Sequence, residues 1–368
     1  MVRGDRAEKQ VARGLPGGVE LRRARAAMLG YFDRHGRDLP WRATRDPYAI
    51  WVSEIMLQQT QVETVRPRYP RFLERFPDIS SLARASEEQV CEAWAGLGYY
   101  RRARHLHAAA RQVVVDRAGT LPATAAGLSE LIGIGRYTAG AVASIAFGEP
   151  APAVDGNIAR LLARLGALDR FESGDAALWQ LAEELVRGDR PGDVNQAMMD
   201  LGATVCTPRA PRCRECPVRR WCRGAAQGDP EQLPRRRPAA RRRRLLVAFA
   251  LVEARPGLWL RRRDLDGLWP GLWELPSASG PGARAALAKG LGVALVGPIA
   301  RVRHLLTHRD VRASVYVPQA SLRLRVSPSL RPFARPLAAP LSALARRAIE
   351  AGLAARRPST GRTGPNRR

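Results

Sequence analysis

The sequence predicts two domains of different class: a mainly α-helical N-terminal part and a smaller C-terminal α+β part. Three observations carry this. The chain has 368 residues, more than one ordinary hydrophobic core organises, and its 45% apolar content suffices for two cores. From about residue 19 to residue 224, apolar side chains recur at three- and four-residue spacing, broken by Gly and Pro, with no convincing strand alternation. At 226–244 the composition changes: Pro234 and Pro238 stand among arginines 235–237 and 241–244, a basic linker.

The expected organisation is a flexible tail at 1–20, a helical region at 21–225, the linker at 226–244, a second domain at 245–355 and a disordered tail at 356–368. Within the helical part, Ser86-Glu87-Glu88-Gln89 reads as a capping box, and Gly96-Leu97-Gly98 closes that helix before another begins near Tyr99. In the second domain, 245–253, 258–262 and 312–317 read as short strands and 283–290 as a helix.

The formal charge of +27, with a pI near 11.4, calls for a polyanionic partner. Nucleic acid comes first because backbone phosphates reward clustered cations, although ribosome-associated and membrane-surface proteins share such numbers. No stretch approaches the roughly 18 apolar residues of a membrane span, and the first residues contain no apolar signal core, so no membrane role and a cytoplasmic location are expected. The cations are almost all arginine; the only lysines are Lys9 and Lys289.

Four of five cysteines, Cys206, Cys213, Cys216 and Cys222, form the pattern C-x6-C-x2-C-x5-C. Zinc sites usually pair two close knuckles, and only Cys213 and Cys216 make one here. One knuckle with longer arms suits a [4Fe–4S] cluster better, with zinc or unligated core cysteines as the alternatives. Arg209, Arg212, Arg214, Arg219, Arg220 and Arg223 make this loop basic. The fifth, Cys91, reads as core. Upstream, Gly133-Ile134-Gly135 links helical segments at 124–131 and 136–147. A Gly-x-Gly turn opening a helix presents backbone N–H groups to a phosphate, though many such turns simply join helices.

Two acids stand out. Glu54 is the lone acid within Pro47-Tyr48-Ala49-Ile50-Trp51-Val52-Ser53-Glu54-Ile55-Met56-Leu57, on a helical stripe with Ile50 and Leu57. Burial there should raise its pKa and let it donate a proton near neutral pH. Asp155, in Val154-Asp155-Gly156-Asn157, precedes a helix at 158–165. It can be a plain N-cap, or an ionised carboxylate that stabilises a sugar cation. One protonated and one charged carboxyl repeat the logic of glycoside hydrolysis.

The cysteine spacing, hairpin and acids resemble the endonuclease III and MutY branch of the helix-hairpin-helix DNA glycosylases, from about residue 21 to 222. The resemblance implies a helix-hairpin-helix glycosylase core with an iron–sulfur cluster loop, acting as a nucleoid-associated monomer on double-stranded DNA. It also implies that Glu54 protonates adenine N7 and Asp155 stabilises the sugar cation, with Tyr137 and Asn157 supporting the water and the aspartate. Leu39-Pro40-Trp41-Arg42, Gln58-Gln59 and Gly96-Leu97-Gly98-Tyr99-Tyr100 resemble the MutY pattern. On that basis Arg42 and Gln196 hold a flipped adenine, and Gln59 and Tyr99 wedge near the opposite base; Tyr99 packed in the core is the alternative. Gly133 and Gly135 hold phosphate, and Ile132 replaces the usual hairpin Pro.

An endonuclease III-like bifunctional enzyme for damaged pyrimidines needs an amine for its lyase step. The family places that lysine where this chain has Tyr137. The implied reaction is therefore monofunctional excision of adenine opposite 8-oxoguanine or guanine. A non-catalytic iron–sulfur DNA-binding protein is the third reading. Gly267-Leu268-Trp269-Pro270-Gly271-Leu272-Trp273-Glu274-Leu275-Pro276 resembles Nudix-fold domains. Ala286, Lys289 and Gly290 stand where a working Nudix helix needs glutamates, so metal-dependent hydrolysis is not expected. The resemblance instead implies an 8-oxoguanine recognition domain with Thr307 and His308 in its reading loop and Leu306 in place of the family's aromatic.

Overall fold

The computed structural model describes residues 18–168, 176–234, 242–264, 266–319 and 329–356. The chain divides into two compact units: Met1–Val90 with Arg102–Pro238, and Cys91–Arg101 with Ala239–Arg368. The stretch Cys91–Arg101 thus groups with the second unit, a division that sequence order does not reveal.

The described first unit is helical, and no strand occurs in it. Its elements are α1 (Gly18–His35), α2 (Pro47–Leu57), α3 (Arg101–Arg117), α4 (Ala125–Ser129), α5 (Arg136–Phe147), α6 (Gly156–Gly166), α7 (Ala176–Val186) and α8 (Pro191–Asp200), with shorter helical turns between them. Local sequence explains the ends. Asp46 caps α2 by accepting from the backbone N–H of Tyr48 and Ala49, both at 3.2 Å, and Pro47 occupies the first turn. Ser86 and Gln89 exchange the two hydrogen bonds of a capping box, at 3.1 and 2.8 Å. A π-helical turn, Leu201–Val205, extends α8. Met28, Leu162, Leu181 and Met198 bring α1, α6, α7 and α8 into one core.

α2 departs from the surface-helix pattern, because every residue from Tyr48 to Met56 is buried. α5 packs against it on one side and against α8 on another. The segment leaving α5 folds back onto that helix at Gly140, where an added Cβ would lie 2.0 Å from the Pro152 carbonyl oxygen. Asn195, fully buried, then ties the segment down. It donates to Ser144 Oγ at 2.8 Å and to the Ala151 carbonyl at 2.9 Å, and accepts from Ala153 N–H at 3.1 Å. Gly140→Ala is expected to cost about 1–3 kcal/mol through overpacking, read as a lower urea midpoint.

The sequence places a linker at 226–244. Its described beginning is folded onto the first unit: Leu233 is buried and its carbonyl accepts from Arg164 Nε at 2.9 Å. Residues 235–241 lie outside the described residues, as do 1–17 and 357–368 of the expected tails.

The second unit holds β1 (Arg243–Ala250), β2 (Leu258–Arg262), β3 (Trp273–Glu274), β4 (Ser277–Ser279), α9 (Ala283–Leu291), β5 (Leu295–Leu305), β6 (Arg309–Pro318), β7 (Leu330–Phe333) and α10 (Ala343–Arg356). One sheet has the order β4-β1-β6-β5 and the other β3-β2-β7, with β1 and β6 parallel. β1 and the residues just after it explain their own apolar run. Val247, Phe249 and Leu251 join the cluster with α10, while Ala248, Ala250 and Val252 join that with α9. The sequence reading lacks β5 and α10. Gly297-Pro298 interrupts β5, and the pairing register shifts between Val296 and Ala300.

Candidate active site

α2, the turn after it, α5, α6 and α8 enclose a cavity of about 570 Å³. Glu54, only 4% exposed, reaches it from the buried helix α2. Burial pushes its carboxyl up to about 7. The Tyr137 hydrogen bond and the Arg42 charge oppose that rise, and the Asp155 charge adds to it. Tyr137, on α5, donates its hydroxyl to Glu54 Oε2 at 2.9 Å. This bond sets the Tyr137 hydroxyl against the glutamate.

Asp155 lines the same cavity from the N-terminus of α6. It is an N-cap, accepting from the backbone N–H of Asn157 at 3.0 Å and of Ile158 at 2.7 Å. Asn157 Nδ2 adds a bond at 3.3 Å. The plain cap and the site-facing carboxylate are therefore one residue in both capacities. Gly202, in the π-helical turn, allows the chain to press on Asn157, since an added Cβ would lie 2.9 Å from it.

Arg42 lines the cavity, but its guanidinium fork is committed to Asp200 through bonds of 2.7 and 2.8 Å. Arg37 adds a third at 2.6 Å. Burial pushes the Asp200 carboxyl up, and these two arginines more than reverse that, leaving it below the usual range. Sequence reasoning missed Asp200 and Arg37. The signal was present for Asp200, a lone acid in Ala197-Met198-Met199-Asp200-Leu201-Gly202, just as it was for Glu54. Gln196 lines the cavity too, with its amide 3.5 Å from Asp193 Oδ1. Gln58 and Gln59 line it after α2; Gln58 Nε2 donates to Thr138 Oγ1 at 3.0 Å, and Gln59 adopts φ 55°.

At the hairpin, Gly133 has φ 78° and lies against His105, whose Cβ would sit 2.5 Å from an added Cβ. Any side chain there is excluded on both counts. Gly135 caps α5 with no side chain to accept from the first N–H groups of that helix, and Ile132 in the same hairpin is exposed. Tyr99 is 61% exposed with φ 47°. It belongs to the stretch that groups with the second unit.

Cys206, Cys213, Cys216 and Cys222 line one apolar pocket with Leu161, Leu165 and Val218 and no carboxylate. Burial raises the thiols of Cys213, Cys216 and Cys222, and their mutual proximity adds to it. Among the described residues no three His, Cys, Asp or Glu converge as a single metal ion requires. The buried Arg164 approaches Cys206 Sγ at 3.4 Å and donates to the Thr207 carbonyl at 2.7 Å. Arg160 joins this loop to the cavity, donating to the Cys206 carbonyl at 2.8 Å and to Asn157 Oδ1 at 3.0 Å.

In the second unit, Thr307 and His308 form the exposed tip of the β5–β6 hairpin, closed by Leu306 N–H to the Arg309 carbonyl at 2.8 Å. Leu306 packs partly against the core instead of presenting a ring. Helix α9 bears no carboxylate. Glu274 is buried and accepts two bonds of 2.8 Å from Arg263. No helix of the described residues is long and apolar enough to cross a membrane.

Residues 52–187 match the HhH-GPD superfamily of base excision DNA repair proteins, and residues 247–351 match the NUDIX domain. The adenine DNA glycosylase of Mus musculus is 38% identical over 372 aligned positions, covering 83% of this chain and 71% of the mouse protein. The chain belongs to the adenine DNA glycosylases. The family member from Homo sapiens is 49% identical over 227 residues, which cover 58% of this chain and 42% of the human protein. A thermostable thymine-DNA glycosylase of known structure superposes with a TM-score of 0.54 at 32% identity, covering 56% of this chain and 97% of that one. The first matched segment falls within the helical unit except at 91–101, and the second falls within the α+β unit.

Proposed function

We propose that this chain is a monofunctional base-excision enzyme that hydrolyses the N-glycosidic bond of adenine mispaired with 8-oxoguanine or guanine in duplex DNA. The observation that carries this reading is the pairing of Glu54, whose carboxyl is pushed up to about 7, with Asp155 across one cavity. Tyr137 occupies Oε2 of Glu54, so the transferable proton belongs on Oε1. With adenine extruded into the cavity, Glu54 delivers that proton to N7 and the base departs as a neutral leaving group. The anion of Asp155 stabilises the sugar cation until water attacks, and Asn157 holds the aspartate. Arg42, kept in place by Asp200, and Gln196 border the base. Gln59 and Tyr99 are assigned to the gap, Gly133 and Gly135 to a phosphate, and Thr307 and His308 to the opposite 8-oxoguanine.

Cys206, Cys213, Cys216 and Cys222 would hold a [4Fe–4S] cluster. Four thiols, that of Cys206 buried and the other three half-buried, spread around an acid-free pocket fit a multi-atom unit better than one ion, and binding would supply the positive charge that lets them ionise. The cluster would hold the arginine-bearing loop against the DNA backbone.

The test is excision by the purified chain from duplexes containing A:8-oxoG, A:G or thymine glycol, with borohydride present to trap an imine. Adenine release from the first two without a trapped adduct is expected, since Tyr137 takes the lyase amine's place. Action on thymine glycol alone, or a covalent adduct, overturns the reading.

A further inference from the structure

Arg102, on α3, controls how the helix that carries Glu54 ends. Its Nη1 donates to the carbonyls of Ile55 at 2.8 Å, Met56 at 2.9 Å and Gln58, and its Nη2 donates to Thr60 Oγ1 at 2.9 Å. A helix leaves its last carbonyls without intrahelical partners and carries partial negative charge there. One guanidinium answers both needs for α2, and the same fork reaches past the helix to the turn.

That turn is unusual. The chain leaves α2 through Gln58, with ψ 115°, and Gln59, with φ 55°. The second value lies where residues other than glycine rarely sit, and such a conformation persists only when its surroundings fix it. The Gln58 side chain is held by Thr138, and its carbonyl and the Thr60 hydroxyl are held by Arg102. Gln58, Gln59 and Thr60 all line the cavity with Glu54.

We infer that Arg102 is a positioning residue that locks the Gln58-Gln59-Thr60 corner in the shape that fills the gap left by an extruded adenine. The inference rests on the adenine-excision reading. The corner's work is greatest when a paired base must be displaced, because unpairing and unstacking are what a filled gap offsets. Loss of Arg102 should then discriminate between substrates that differ only in what faces the adenine.

The experiment uses the full chain and its Arg102→Met variant in single-turnover excision on two duplexes, one with adenine opposite guanine and one with adenine opposite an abasic-site analogue. The expected result is about 10- to 100-fold slower excision for A:G, with the second duplex changed by no more than about threefold. Equal slowing on both duplexes means that Arg102 only supports the fold, and no slowing on either means that the corner holds without it. Either outcome overturns the inference. Should Arg102→Met not fold, Thr60→Val removes one acceptor and no charge, and faces the same two-duplex criterion with a smaller expected effect. A parent chain inactive on both duplexes defeats the excision reading itself, and the inference with it.

Discussion

Glu54→Gln is expected to slow adenine excision by about 10³-fold while leaving duplex affinity within a few-fold. The substitution preserves volume, and the amide oxygen can still accept from Tyr137, which stands 2.9 Å from Glu54 Oε2. What disappears is a proton that can be given away. An amide N–H can donate a hydrogen bond to adenine N7 but does not transfer a proton near neutral pH, so the base must leave as an anion. A general acid contributes about 10²- to 10⁴-fold, or about 3–5 kcal/mol of transition-state stabilisation. Single-turnover excision and a gel-shift titration on the same A:G duplex separate chemistry from binding. Parallel loss of both would assign Glu54 to the fold. Retention of both would place the proton donor at a group other than Glu54.

Much of this site was legible in the sequence because its signals are local. Glu54 announced itself as an acid on an apolar stripe, and burial of the entire span from Tyr48 to Met56 made that neighbourhood real. Asp155 was visible as a cap, and the cap geometry is what aims it. The Gly-x-Gly turn and the cysteine spacing are likewise short-range patterns. What sequence reading could not supply was pairing across distance. Nothing near Arg42 indicates that Asp200 takes its fork, and nothing near Arg102 indicates that it ends α2. The Tyr137–Glu54 bond is the same case: a position on α5 does not state which partner faces it. In the second unit, β5 was missed because Gly297-Pro298 breaks its alternation, although the strand resumes after a register shift. α10 did carry a local signal, since Leu344, Ala345, Ala348 and Ile349 recur at helical spacing in an alanine-rich run and form the face that packs on the sheet, so its omission has no such cause.

The raised carboxyl of Glu54 makes a second, opposite prediction for the same variant. Its ordinary value is 4.5 and its value in the folded chain is about 7, so the native state holds this proton more tightly than the unfolded chain does. Between those values the unfolded chain releases a proton that the folded chain keeps, and stability falls as pH rises through that window. Above about pH 7 the folded protein carries the full cost of an ionised carboxylate in an apolar helix, about 3 kcal/mol from the span of the two values. Glu54→Gln removes that cost. The variant should therefore exceed the parent in urea-unfolding free energy by only about 1 kcal/mol at about pH 5.5 but by about 3 kcal/mol at about pH 8. The parent's excision rate constant should decline over the same range, approaching tenfold per pH unit above about 7, as the population of the acid form shrinks. One titrating group then sets both curves, and the pH at which stability levels off must match the pH at which the rate begins its fall. A stability gain that is independent of pH, or a rate flat from about pH 6 to about pH 9, would show that Glu54 is not the group held protonated in the cavity.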